Sequence, residues 1–467
     1  MRPHISRANF VGMTGAATLT VLVQPGHGLR ALGATVYVRR DVGGMSAADP
    51  AILAYRTAVR QMRALPPSDP RSWTYQAAIH GTFATPARPS WNTCEHGTYF
   101  FWSWHRMYLY WFERICRSMC GDDCWALPYW NWSSPAQRQL PATFRETSSE
   151  LYTPNRDPAM NSGAGSLPAT DVDYSGAFAF GDFTTADSVI QGTPHGDVHV
   201  DVGGWMGSVP TAAQDPIFYL HHCNIDRLWN LWLAQGGGRS DPTSDAAWRS
   251  KTFTFFNESG DPVTMTGCDV LRAAFQLGYL YEGEPAQVNQ YCPPTFHLPP
   301  TYYLTETLVH LPIPPVTLGS KPSSFAVNLR DLRARLAPAL ASPHETLLLQ
   351  LGDVEASSQP GAVWDVYFGL SKGAQPDPKS PFFVGTLSLF GTGIRSDRAH
   401  KFMPASFTFA IGKALKASFA ARETQASVTF VPHGILIDGR PSRPTVRSTV
   451  RIGEASIAVQ TGRRRTG

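Results

Sequence analysis

Seven of the fourteen histidines in this 467-residue chain fall into two groups whose spacing suits metal binding. His80, His96 and His105 form the first; His195, His199 and the adjacent pair His221 and His222 form the second. In Thr193-Pro-His195-Gly-Asp-Val-His199 two imidazoles stand at i and i+4, about 6 Å apart on one helix face. Neighbouring histidines on a helix point about 100° apart, so one of His221 and His222 is expected to reach the same metal. Three plus three imidazoles, with no matching carboxylates or thiolates, predict copper. Zinc hydrolases generally use one metal with mixed ligands, and non-haem iron prefers two His and a carboxylate. Open positions on two facing coppers suit dioxygen. A lone histidine is more often a core or surface residue, and one HxxxH pair is a weak signal. The joint pattern inside aromatic helices carries the argument.

Three helices must position these rings. Ala51 to Leu65 has Ile52, Leu53, Tyr55, Val59 and Met62 at helical spacing after the start signal Asp49-Pro50. Phe100 to Met119 reads as a second helix, dense in aromatics and holding His105; Phe100, Trp104 and Tyr108 are expected to pack the bundle. His96 lies nine residues before His105 and on a continuous helix would face the other side, so Gly97 should turn the chain and leave His96 on a loop. Asp215-Pro216 opens a third helix, which carries His221 and His222 and stops at Gly236 to Gly238; Asp215 reads as its N-cap. His80 ends Tyr75-QAAIH. Long Gly/Pro/Ser-rich loops, such as residues 153–170, separate these elements.

Composition bounds the alternatives. Hydrophobic residues make up 43% and charged residues 16%, so the chain has ample core material and is neither disordered nor a coiled coil. A net charge of +4 gives no support for nucleic-acid binding. No apolar run of about 18 residues exists, so no membrane span is expected. Seven cysteines are too few and too odd for a disulfide scaffold, and Cys116-RSM-Cys120-GDD-Cys124 lacks the paired spacing of a zinc site. Residues 1–35, with Arg2 and Arg7 before a mildly apolar stretch, read as an export signal or a disordered tail; secretion and a cytoplasmic location both stay open. Residues 36–292 are expected to form a mainly helical bundle with long loops. Residues 293–322 are proline-dense and read as a linker. From 323 to 460 the period changes to two, in Thr346-LLLQL-Gly352, Val363-WDVYFG-Leu370, Phe383-VGTLSLF-Gly391 and Ser427-VTFVP-His433, which predicts an all-β sandwich or barrel. Residues 461–467 read as a basic, solvated tail.

Cys94-EHGTYFFWSWHRMYLYWFE-Arg114 and Asp215-PIFYLHHCNIDRLW-Asn230 resemble the two copper-binding signatures of the tyrosinase, catechol oxidase and molluscan haemocyanin family, the type 3 copper proteins. The resemblance spans roughly residues 36–290. It implies that His80, His96 and His105 bind one copper (Cu A), and His195, His199 and His222 the other (Cu B), with His221 beside them. It also implies a thioether between Cys94 and the ring of His96; on the residues alone, a free thiol or a disulfide fits Cys94 too. Asp226, one turn after His222, is placed to orient that ring, the alternative being a pair with Arg227 or another base. More weakly, Val363-WDVYFG-Leu370 followed by Phe383-VGT-Leu387 resembles the β-domain of plant polyphenol oxidases, which implies a domain that shields the copper site and keeps the enzyme latent; a purely stabilising domain is the alternative.

The implied activity is oxidation of o-diphenols to o-quinones, with O2 as co-substrate. Monophenol hydroxylation in the family is linked to an Asn after the first histidine of the second site and to a Glu just upstream. Here Gly196 and Gln191 stand at those places, and neither polarises a water as a carboxylate–Asn pair does, which predicts weak monophenol chemistry. Two rivals remain: a haemocyanin-like reversible oxygen-binding protein, against which a single unit without repeats argues, and a zinc or mixed-metal hydrolase around His195 and His199. The expected partner is a small phenolic substrate, whose identity the Gly-rich stretch 200–214 leaves unread, as it does the aminophenol alternative; oligomeric state is equally unread.

Overall fold

The computed structural model describes residues 17–20, 32–271, 273–283, 301–356, 358–371, 373–391 and 405–464. Of the expected leader, residues 17–20 pair antiparallel with β1 (Leu32–Arg39); the rest of residues 1–31 lies outside the described residues. β1 also pairs in parallel with β2 (Tyr279–Tyr281), so the two ends of the helical region close on each other.

Local chemistry sets the helices between them. α1 (Pro50–Ala64) starts where the Asp49 carboxylate accepts from the Ala51 N–H and Pro50 needs no donor partner, and it buries Ile52, Tyr55, Ala58, Val59 and Met62 on one stripe. α2 (Trp73–His80) is capped by Ser72 and ends on His80. α3 (Phe101–Cys120) ends at Gly121, whose φ of 70° admits the left-handed cap. α4 (Phe183–Ile190) leads through a wide turn at residues 191–196 into α5 (Asp197–Val202); within that turn Thr193 is extended, so the helical run bearing His195 and His199 starts after a bend. α6 (Ile217–Ala234) is buried on nearly every side. Asp215 accepts from the Ile217 N–H and also pairs with buried Arg156.

The C-terminal part is a two-sheet sandwich. One sheet is ordered β9 (Ala405–Ala410), β6 (Glu345–Ala356), β11 (Val450–Arg464), β3 (Thr301–Leu311), with β4 (Val316–Leu318) also on β11. The other is β8 (Phe383–Ser388), β7 (Val363–Phe368), β10 (Gln425–His433), β5 (Ser323–Asn328). Two helices, α7 (Leu329–Ala341) and α8 (Gly412–Ala420), pack on this β-rich unit through Leu329, Leu332, Leu336, Ala414 and Leu415. Two boundaries shift. Residues 301–318 of the expected linker hold β3 and β4, because the prolines at 299, 300, 312, 314 and 315 flank these strands without interrupting them. Residues 461–464 of the expected tail continue β11, paired with Thr301 to Leu304 of β3.

Strand alternation joins the two parts. Leu347, Leu349 and Leu351 of β6 point into the sandwich core, whereas Leu348 joins the core of the helical part; Ile457 and Ala458 of β11 divide likewise. One sheet therefore has two buried faces.

Candidate metal centre

Three segments bring the first histidine group together. His80 comes from the end of α2, His96 from the loop turned by Gly97 (φ 71°), and His105 from the first turn and a half of α3. Ring centroids lie 5.3 Å (80–96), 5.6 Å (96–105) and 5.9 Å (80–105) apart. The Cys94 sulfur sits among them, 3.7 Å from Nε2 of His96 and 3.4 Å from Nε2 of His105. Each of the four residues offers one donor atom within 4.8 Å of the others'.

The second group is His195, His199, His221 and His222, again with one ring nitrogen each inside 4.8 Å. Helical spacing predicts that one of the adjacent pair reaches a shared metal; both rings lie in the cluster. The turn bearing His195 and His199 lies over the seam between the two side chains, with His199 4.7 Å from His221 and 5.3 Å from His222. The groups abut: the rings of His105 and His222 stack at 4.2 Å, and those of His96 and His195 at 5.7 Å.

Hydrogen bonds orient these rings for ligation. Nδ1–H of His80, His105, His195 and His199 donates to the carbonyls of Val209, Phe101, Gln191 and Met206, at 2.8–3.1 Å, because a carbonyl only accepts. That places the lone pair on Nε2, the atom a metal takes. Nε2 of His195 is buried with no hydrogen-bond partner among the described residues, and Nε2 of His199 faces Nε2 of His222 across 3.2 Å. Burial lowers His195 to about 3 and holds His105, His199, His221 and His222 well below the ordinary histidine value, so the rings are neutral. Buried neutral imidazoles with an orphaned lone pair fit a metal ion of the copper type. Phe101 and Phe218 wall the site, with Phe101 4.6 Å from His195 and Phe218 4.2 Å from His222.

Three more expected site residues remain, and Asp226 departs from its ring-orienting reading. Asp226 is no partner of His222: its carboxylate is held by Arg106, Arg39, Tyr279 and Tyr281, all buried. These cations and hydroxyls out-compete a neutral ring for a buried charge. Gln191 is committed on both ends of its amide, accepting from Gly97 N–H and donating to Thr98 O and the Asp187 carboxylate. Gly196 packs against the C-terminal sandwich, since a Cβ there would lie 2.8 Å from Oγ of Ser388.

Sequence reasoning missed the residue that fills the site. Phe390, just past β8, stacks on His199 with 3.8 Å between centroids and 5° between planes. It also lies 5.4 Å from His195 and 5.7 Å from His96. A Phe-Gly step after a strand has no local signature, so only the docked sandwich reveals it. Polar contacts hold that docking. Thr386 donates to Asp197 and pairs with Thr193; His433 reaches Asp171 at 2.7 Å and Asp365 at 3.1 Å. Leu436 and Ile437 form a bridge of strand with Gly165 and Ser166.

Comparison with known proteins agrees. Residues 70–188 and 172–235 match the common central domain of tyrosinase, and residues 243–292 the polyphenol oxidase middle domain. A tyrosinase of Hahella sp. is 32% identical over 404 residues, 72% of this chain and 82% of that protein. The latent polyphenol oxidase of Prunus armeniaca is 29% identical over 386 residues, 71% of this chain but 63% of that one. Solved structures of latent apple tyrosinase (TM-score 0.64, 24% identity, 91% of this chain and 97% of that) and latent aurone synthase (TM-score 0.66, 24% identity, 91% and 90%) share the fold. With two histidine sites suited to a dicopper centre and a tyrosinase aligned over most of both lengths, this chain belongs to the tyrosinase family of oxidoreductases.

Proposed function

We propose that this protein is a copper-dependent oxidase that uses O2 to convert o-diphenols to o-quinones, and that its C-terminal sandwich keeps it latent. The carrying observation is the ring of Phe390 stacked on His199 inside two abutting histidine clusters. His80, His96 and His105 would hold one copper and His195, His199 and His222 the other. When bound, this pair supplies reversible two-electron redox and a place for O2. The chain's own residues do the rest. Carbonyl-anchored Nδ1–H groups fix four of the rings, those of His80, His105, His195 and His199. Phe101 and Phe218 exclude water. The face of His199 that Phe390 covers is where an aromatic substrate would stack once the sandwich moves.

Weak monophenol hydroxylation follows from Gln191, whose amide is fully engaged, and from Gly196, which leaves no side chain to hold a water. A high tyrosine-to-dopa rate without a lag overturns this. We also propose the thioether from Cys94 Sγ to a His96 ring carbon, its two hydrogens passing to O2. A Cys94–His96 peptide of unreduced mass tests it, since intact thiol and ring restore both hydrogens.

Oxygen uptake by the copper-loaded chain with a simple o-diphenol, before and after cleavage within residues 284–300, tests the main reading. Uptake that rises on cleavage supports it. Two coppers and reversible O2 binding without uptake in either state overturn it in favour of the oxygen carrier.

A further inference from the structure

The second cluster holds four imidazoles where a metal with an open position takes three. What separates His221 from His195 and His199 is the atom each Nδ1 faces. Nδ1–H of His195 and His199 donates to carbonyls, which leaves a lone pair on Nε2. His221 is the reverse. Its Nδ1 lies 3.1 Å from Nε1 of Trp132, and an indole N–H only donates. Nδ1 of His221 therefore accepts, and the ring proton sits on Nε2. That Nε2 is buried and has no hydrogen-bond partner among the described residues. A ligand needs a lone pair, and this nitrogen bears a hydrogen instead. Trp132 is fully buried, and its own N–H on the main chain is tied to the Trp130 carbonyl, so the indole has little freedom to turn away.

We propose that Trp132 bars His221 from the second copper by fixing its tautomer, and that the resulting Nε2–H binds an anionic oxygen, such as a phenolate, entering the cluster. Trp132 is the positioning residue and His221 the substrate-binding one. The proposal rests on the copper reading of the site and assigns a role to a side chain that the ligand set leaves out. It also explains how two adjacent histidines in one cluster take different jobs: the choice is made by a tryptophan 89 residues away in sequence, outside both histidine motifs.

Isotope labelling of the histidine ring nitrogens in the full, metal-free chain reads the tautomer without copper. The expected spectrum has one core histidine protonated at Nε2 and bare at Nδ1, assigned by its loss in His221→Gln and shifted by Trp132→Phe. Copper analysis of the loaded chain is expected to give two ions in wild type and in His221→Gln, and one fewer in His222→Gln. In a Phe390→Ala background, His221→Phe should raise KM for catechol about tenfold with a smaller change in kcat, and His221→Gln, which keeps an N–H, should restore most of it. A proton on Nδ1 of His221, or loss of one copper in His221→Gln, overturns the proposal while the copper reading stands. A wild-type chain that takes up no copper overturns the copper reading, and this proposal with it.

Discussion

Phe390 is the side chain on which the proposed latency turns. Its ring covers His199, and Gly391 behind it (φ 82°) packs so closely that a Cβ would come within 2.9 Å of the His96 ring. The loop is thus seated against both histidine groups. An aromatic pair contributes about 0.5–1.5 kcal/mol, so Phe390→Ala should raise o-diphenol oxidation by the uncleaved chain by up to about tenfold, measured as O2 uptake at unchanged copper content. Gly196→Asn is expected to act from the other side. The added side chain must displace Ser388, so the sandwich should dock less well and the uncleaved variant should be cut faster by protease than wild type.

At the scale of elements, α3 and α6 carry His105 and His222 and must keep a fixed crossing for those rings to stack. Next to those rings the two helices are locked by charge. Arg106 of α3 bonds Asp226 and Asn230 of α6 and the Val270 carbonyl, and Arg39 of β1 adds Glu113 and Asp226. All of these side chains are buried or nearly so, and removing one partner strands a charge. Asp226→Asn is expected to cost about 3–5 kcal/mol, seen as a lower thermal denaturation midpoint, while copper per folded chain stays at the wild-type level. A normal midpoint with lost copper would return Asp226 to the ring-orienting role that its spacing suggested.

For the molecule as a whole, the docking of sandwich on bundle is held partly by a buried ion pair. Burial alone would lower His433, but Asp171 from the bundle and Asp365 from β7 outweigh it and push the ring up to about 12. A raised histidine stabilises the docked form fully below its ordinary value of 6.5, and that contribution declines as pH rises toward about 12. Asp197 and Asp201 nearby are raised by burial, an effect of the same sign. Raising pH from about 6 to about 9 should therefore loosen the docking, read as faster proteolytic release of the sandwich. His433→Gln should release it more readily at the lower pH and flatten the dependence; an unchanged slope would remove His433 from the latch.

The chemistry was legible in one dimension because ligand sets of this kind are built on helices. His195 and His199 share a face by spacing alone, and the aromatic stripe around His105 and the signal Asp215-Pro216 mark their helices locally. The period change after residue 323 likewise announced strands, since alternation is a property of each segment by itself. Boundaries were less legible: prolines flanking β3 and β4 look the same as a linker until the partner strand β11 is in place. The site's second tier was not legible at all. Phe390 meets His199 across 191 positions and Trp132 meets His221 across 89, and no local pattern encodes such pairs. Asp226 shows the converse, a correct one-turn spacing from His222 overruled by two arginines arriving from β1 and α3. Residue type and period therefore determined which metal chemistry this chain is built for. Which rings carry lone pairs, what covers them and what holds the cover were decided only by tertiary contact, because hydrogen bonds and ring stacking act over a few ångströms of space whatever their distance along the chain.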